Sequence, residues 1–151
     1  MGDDAMGETP EAKKAVFRRL VELYATADVD ALEALVAPDY VGHTAAGDRD
    51  WAEFRQSILN FHQLFDYSPD SFTVEDQFVD GDKVASRMIA RVRNRETGEP
   101  MSMIGINLAV IRGGKIREEW NTWEVMADVA HSNDAGSDSG SLSVRGASKS
   151  A

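Results

Sequence analysis

The feature that most constrains this chain is a change of hydrophobic period at Pro69. Before it, apolar residues recur at helical spacing; after it, they alternate. Ala12, Val16, Leu20, Leu23 and Tyr24 mark a first helix, opened by Thr9 as N-cap and Pro10 in the first turn. A short second helix is predicted from near Asp28, burying Leu32, Leu35 and Val36 and stopping before Pro38. Residues 40–43 read as a short extended piece. The third helix opens with Asp50 and Glu53 as a capping box and carries Trp51, Phe54, Ile58, Phe61, Leu64 and Phe65.

Beyond Pro69, Phe72, Val74 and Phe78 alternate with polar residues, and Asp80-Gly81 signals a hairpin. Strands are predicted over 83–95, 101–111 and 116–125, the last two joined by Gly113-Gly114. Helices followed by a meander of long strands indicate an α+β fold with helices on one face of a sheet. Such an arrangement encloses a conical cavity, suited to a small apolar ligand.

Composition narrows the function. The chain has 26 acidic and 16 basic residues, a formal charge of −10, so neither nucleic acid nor an anionic membrane surface is expected as a partner. Half of that excess sits on the ends: residues 1–11 carry net −4 and residues 128–151 net −1. The absence of cysteine excludes disulfides, a thiol nucleophile and thiolate metal sites. Of the three histidines only His43 and His62 precede the tail, with no metal-ligand spacing, so no metal and no cofactor is expected. MGDDAMGETP has no basic or apolar run, and Met101 to Ile111 is too short to span a bilayer, so a cytoplasmic protein is expected. Residues 1–8 and the Ser/Gly/Asp-rich stretch 129–151 are expected to be disordered, leaving one domain over 9–128.

Four stretches resemble one family. They are Ala37-Pro38-Asp39-Tyr40-Val41-Gly42-His43, Ser68 to Asp76, Asp80-Gly81-Asp82-Lys83-Val84-Ala85-Ser86-Arg87, and Gly114 to Glu124. In order and spacing they resemble the SnoaL-like polyketide cyclase (ester cyclase) group of the nuclear-transport-factor-2-like superfamily. The resemblance implies a cone: a curved antiparallel or mixed sheet, cystatin-like, with three N-terminal helices across its concave face. It also implies a homodimer through the outer sheet face and a cofactor-free aldol-type cyclisation of a polyketide or related carbonyl compound. Other roles on this fold include ring hydroxylation and non-catalytic ligand binding. The cyclases' catalytic His and Asp positions fall on Asn107 and Asn121. Amides exchange no proton near neutral pH, but they can hold an oxygen.

The expected site follows. His43 is the candidate for proton transfer, against a surface or capping role. Asn107 shares a strand face with Met103, Gly105 and Ala109, and Asn121 shares one with Arg117, Glu119 and Trp123. Asn107 and Asn121 would orient oxygens. Glu119 in an apolar cavity would be an acid or base, unless it pairs with a strand arginine. Tyr40, Met103 and Trp123 would pack a small apolar carbonyl or aromatic ligand. Arg87 would pair a ligand carboxylate, unless its row with Arg91 and Arg93 is a solvated or dimer-facing surface.

Overall fold

The computed structural model describes residues 9–127. The expected disordered ends lie outside the described residues. The first helix, α1, spans Pro10–Thr26, with the Thr9 side chain accepting from the Ala12 amide at 3.1 Å. A 3-10 turn at Val29–Ala31 leads into a four-residue helix, α2, Leu32–Leu35. Helix α3 is Trp51–Leu64, and both halves of the Asp50–Glu53 capping box are formed.

The strands are β1 (Val36–Thr44), β2 (Gly47–Arg49), β3 (Phe65–Asp66), β4 (Phe72–Asp80), β5 (Lys83–Asn94), β6 (Pro100–Arg112) and β7 (Lys115–Val125). They form one curved, unclosed seven-stranded sheet in the order β2-β1-β7-β6-β5-β3, with β4 also paired to β5. All pairings are antiparallel except β1 with β7. Gly113 and Gly114 both hold positive φ between Arg112 and Lys115, which a two-residue hairpin of this hand requires.

The helices pack on the concave face. Phe17, Leu20, Leu32, Phe54 and Ile58 meet Val84, Met88, Ala109, Ile111 and Ile116 there in one core. No helix among the described residues is long and apolar enough to cross a membrane.

Two local expectations are corrected. The second helix is shorter than its apolar pattern suggested. Val36 is already β1, because its pairing with Ile116 of β7 takes over the backbone hydrogen bonds. Pro38 sits inside β1, where the register shifts between Val36 and Val41; an irregular position tolerates a missing donor. The short strands β2 and β3 carried no periodic signal of their own.

Candidate functional site

The site grows from the pairing of β6 with β7. In register, Gly105 faces Trp123, Asn107 faces Asn121 and Ala109 faces Glu119. Alternation turns these residues to the concave side and sends Ile104, Ile106 and Trp120 outward. Gly105 is required here: a Cβ at that position would lie 2.6 Å from Cζ3 of Trp123. The glycine lets the indole lie flat against its neighbour strand.

Below the cavity floor sits Glu119, which is 0% exposed. Its Oε1 accepts from the Tyr40 hydroxyl at 2.6 Å and from Arg49 Nη2 at 3.1 Å. Its Oε2 accepts from Asn107 Nδ2 at 2.8 Å. Three donors, one of them cationic, are what a buried acceptor-only carboxylate requires.

Arg49 is the hub on the other side. Its Nε donates to the Tyr40 oxygen at 3.2 Å, its Nη1 to Ser57 Oγ at 3.4 Å, and its Cζ lies 4.2 Å above the Phe54 ring. Burial works against its charge, but Tyr40, Tyr24 and Glu119 more than offset this and raise its pKa. Gly42 makes the junction possible, since a Cβ there would stand 2.2 Å from the Tyr40 hydroxyl and 3.0 Å from Arg49 Nε.

Above this network opens a cavity of about 510 Å³. Its walls are mostly aromatic and apolar: Tyr24, Phe54, Ile58, Phe61, Tyr67, Phe72, Met103 and Trp123. Tyr24 packs on Phe72 at 5.5 Å between ring centroids, and Phe72 meets Trp123 edge-on at 6.0 Å. Arg49, Ser57 and Asn121 form a polar pole, while Asp48, Glu53 and the 44–47 turn edge the remainder. Burial, and next the Glu119 charge, pushes the Tyr24 phenol well above its usual range. Burial pushes Tyr67 up to about 12. Both phenols therefore remain hydrogen-bond donors at neutral pH. The volume and lining suit a two- or three-ring molecule with few polar atoms.

The model of the SnoaL-like domain matches residues 17–119, more than half of the chain. The chain belongs to the SnoaL-like domain family. Solved structures share the fold. IdmH from Streptomyces antibioticus, a candidate polyketide cyclase, is 28% identical with a TM-score of 0.66, over 74% of this chain and 91% of that one. TsrD from Streptomyces laurentii is 22% identical with a TM-score of 0.67, over 78% of this chain and 92% of that one. AclR from Streptomyces galilaeus, a candidate hydroxylase, is 18% identical with a TM-score of 0.67, over 77% and 91% respectively. Among curated proteins none matches the chain.

In this SnoaL-like domain the expected site residues separate into three groups. Met103, Asn121 and Trp123 line the cavity. Tyr40, Asn107 and Glu119 lie buried beneath it; Tyr40 stacks on the lining residue Phe54 at 5.0 Å, and Tyr40 and Glu119 both bond the lining residue Arg49. Tyr40 is thus corrected from a ligand contact to a support. Glu119 takes the alternative role, pairing with a strand arginine.

His43 and Arg87 lie outside the cavity. His43 pairs in register with Trp120 and stacks on its ring at 4.9 Å on the outer face. Its Nδ1 bonds Asp48 Oδ1 at 2.8 Å and its Nε2 bonds Glu118 Oε2 at 2.7 Å. The hydrogen bonds to Glu118 and then Asp48 raise its pKa. Arg87 is exposed, opposite the outward Ile106 of β6, so it is corrected from a ligand partner to a surface residue.

His62 is structural. Its Nε2 bonds the Tyr24 carbonyl oxygen at 2.8 Å and its ring stacks on Tyr67 at 4.3 Å, which ties α3 to α1. Among the described residues, no group of three or more His, Cys, Asp or Glu converges as a metal site would.

Sequence reasoning missed Arg49, Tyr24 and Ser57. Arg49 is the residue before the Asp50 N-cap, in a three-residue strand with no period to read. Tyr24 reads as part of the core stripe of α1, and only the packing turns its ring toward the cavity.

Proposed function

We propose that this SnoaL-like domain is a cofactor-independent enzyme performing acid–base chemistry on a polyketide or related aromatic carbonyl compound. The observation that carries this is the cavity's polar pole, an Arg49 balanced from behind by a buried Glu119. The pair is neutral overall, so it accommodates an uncharged carbonyl better than a carboxylate. Arg49 uses one N–H toward Glu119, one toward Tyr40 and one toward Ser57, which leaves two of its five for a ligand oxygen.

The chemistry is enolisation. A base removes the proton next to the carbonyl, the electron pair moves to the oxygen, and Arg49 stabilises the developing oxyanion. A preorganised donor in a dry site acts most strongly on charge that appears in the transition state. The enolate carbon then attacks a second carbonyl of the same molecule, an aldol closure. Asp48 at the cavity edge is the base, held in place by its hydrogen bond with His43, and it returns the proton to the alkoxide that the closure forms. Asn121 holds a second ligand oxygen, and Trp123 packs the rings.

A binding role without chemistry is the rival reading. The burial of Glu119 favours it, because this carboxylate does not reach the cavity.

Exchange of methyl protons for deuterium in 2-acetonaphthone, followed by proton NMR, separates the two. An enzyme accelerates the exchange with saturation, and Asp48→Asn abolishes the acceleration. Saturable binding with no acceleration selects the binding role.

A further inference from the structure

Among the described residues, two buried side-chain polar atoms have no hydrogen-bond partner: Asn107 Oδ1 and Asn121 Oδ1. The two residues face each other in register across β6 and β7. Buried carbonyl oxygens without donors are costly, and two at paired positions call for a common explanation.

The explanation lies in the direction of the hydrogen bonds. Glu119 only accepts, so Asn107 must give it Nδ2, as it does at 2.8 Å. That fixes the Asn107 amide and leaves its oxygen seeking a donor. The facing amide belongs to Asn121. Amide oxygen and nitrogen are alike in shape, so packing permits either orientation, and the network selects one. With Nδ2 of Asn121 toward Asn107, the chain runs in one sense, from Asn121 through Asn107 to Glu119. The Asn121 oxygen then turns to the cavity that this residue lines.

We propose that Asn121 is a specificity-determining residue presenting a hydrogen-bond acceptor to the cavity, so that the ligand is recognised by an enol or phenol hydroxyl. Such a hydroxyl donates to Asn121 Oδ1. A methyl ether at the same place leaves the amide oxygen unpaired and cannot bind as well. This rests on the cavity reading under Proposed function and deepens it, because it makes the second ligand oxygen, the one held by Asn121, a hydroxyl rather than a carbonyl.

The test is calorimetric titration of the full chain with 2-naphthol and with 2-methoxynaphthalene. The expected result is an affinity about tenfold higher for the naphthol, the size of one hydrogen bond to a buried acceptor. Asn121→Leu, nearly isosteric and unable to accept, binds both compounds alike. Asn121→Thr keeps a preference for the naphthol, since its hydroxyl can donate to Asn107 and still accept. Circular dichroism checks that each variant is folded, and equal wild-type affinities need no variant to be decisive against the proposal.

Equal affinities in the wild type overturn the proposal. So does tighter binding of the ether, which would mean that Asn121 turns Nδ2 to the cavity, and so does a naphthol preference that survives Asn121→Leu. If neither compound binds up to millimolar concentration, the aromatic-cavity reading falls and this inference with it.

Discussion

Arg49 Nη2 donates to Glu119 Oε1 at 3.1 Å, joining residues 70 apart in sequence, with their side chains 16% and 0% exposed. The ion pair connects the two edges of the site. Arg49 sits on the three-residue β2 at one margin of the sheet, and Glu119 on β7, with β1 between them. It therefore fixes where the polar pole of the cavity stands.

Removing one partner of a buried pair strands the other charge. Arg49→Met should therefore destabilise the fold by about 3–5 kcal/mol, read from urea unfolding at neutral pH. The double variant Arg49→Met/Glu119→Leu should recover much of that loss, since no buried charge remains. A strictly additive double-mutant cycle would show that the two residues are not coupled.

Gly42→Ala tests the same junction through sterics. The new methyl group would stand 2.2 Å from the Tyr40 hydroxyl, and both Tyr40 and Arg49 must move. We expect a cost of about 1–3 kcal/mol, with weaker 2-naphthol binding because Arg49 loses its position. Unchanged stability and affinity would mean that the junction can shift freely.

Much of this was legible beforehand because β-strand alternation is local. Once 101–111 and 116–125 were read as strands, parity put Asn107 with Met103 and Gly105, and Asn121 with Glu119 and Trp123, on single faces. The capping box at Asp50 was equally local. His43 was not legible. Its face depends on the parallel pairing of β1 with β7 across an irregular stretch between Val36 and Val41, which no period in either strand records. Arg49 was hidden for a related reason, because its meaning comes from partners on β1, α3 and β7 rather than from its neighbours.

Gly105→Ala should reshape the cavity without emptying the core. Its Cβ would meet the Trp123 ring at 2.6–2.8 Å, so the indole must tilt away from β6 into the cavity. We expect the affinity for 2-naphthol to fall about tenfold or more, with a stability cost of about 1–3 kcal/mol. Titration calorimetry and thermal melts measure both. Binding at wild-type strength would mean that the Trp123 wall is not used.

His43 predicts a pH dependence with a definite sign. Its folded pKa is raised above the ordinary 6.5 by the hydrogen bonds to Glu118 and then Asp48. The folded state thus holds its proton more tightly than the unfolded chain does. The stability this adds is fully present below the unfolded value and is lost as pH rises through the raised folded value. The difference in melting temperature between wild type and His43→Gln should be largest near about pH 6 and shrink as the solution becomes alkaline. NMR titration of the His43 ring should show the raised midpoint directly. A difference that grows with pH would contradict this account.

The outer sheet face predicts the oligomeric state. Trp120 is 42% and Ile106 49% exposed, and Ile104 and Val41 stand beside them as further exposed apolar side chains. This apolar centre has Arg91 of β5 on one side and Glu118 and Glu124 of β7 on the other. A two-fold axis running along the strands at the centre would set each Arg91 toward the partner copy's acidic side, the self-complementarity that an isologous dimer needs. Light scattering of the full chain should therefore give twice the mass of one chain. Trp120→Glu, which puts a charge at the centre of that face, should shift it to monomer while leaving 2-naphthol binding intact, because Trp120 points away from the cavity. A wild-type monomer at micromolar concentration would show that this face stays open to solvent.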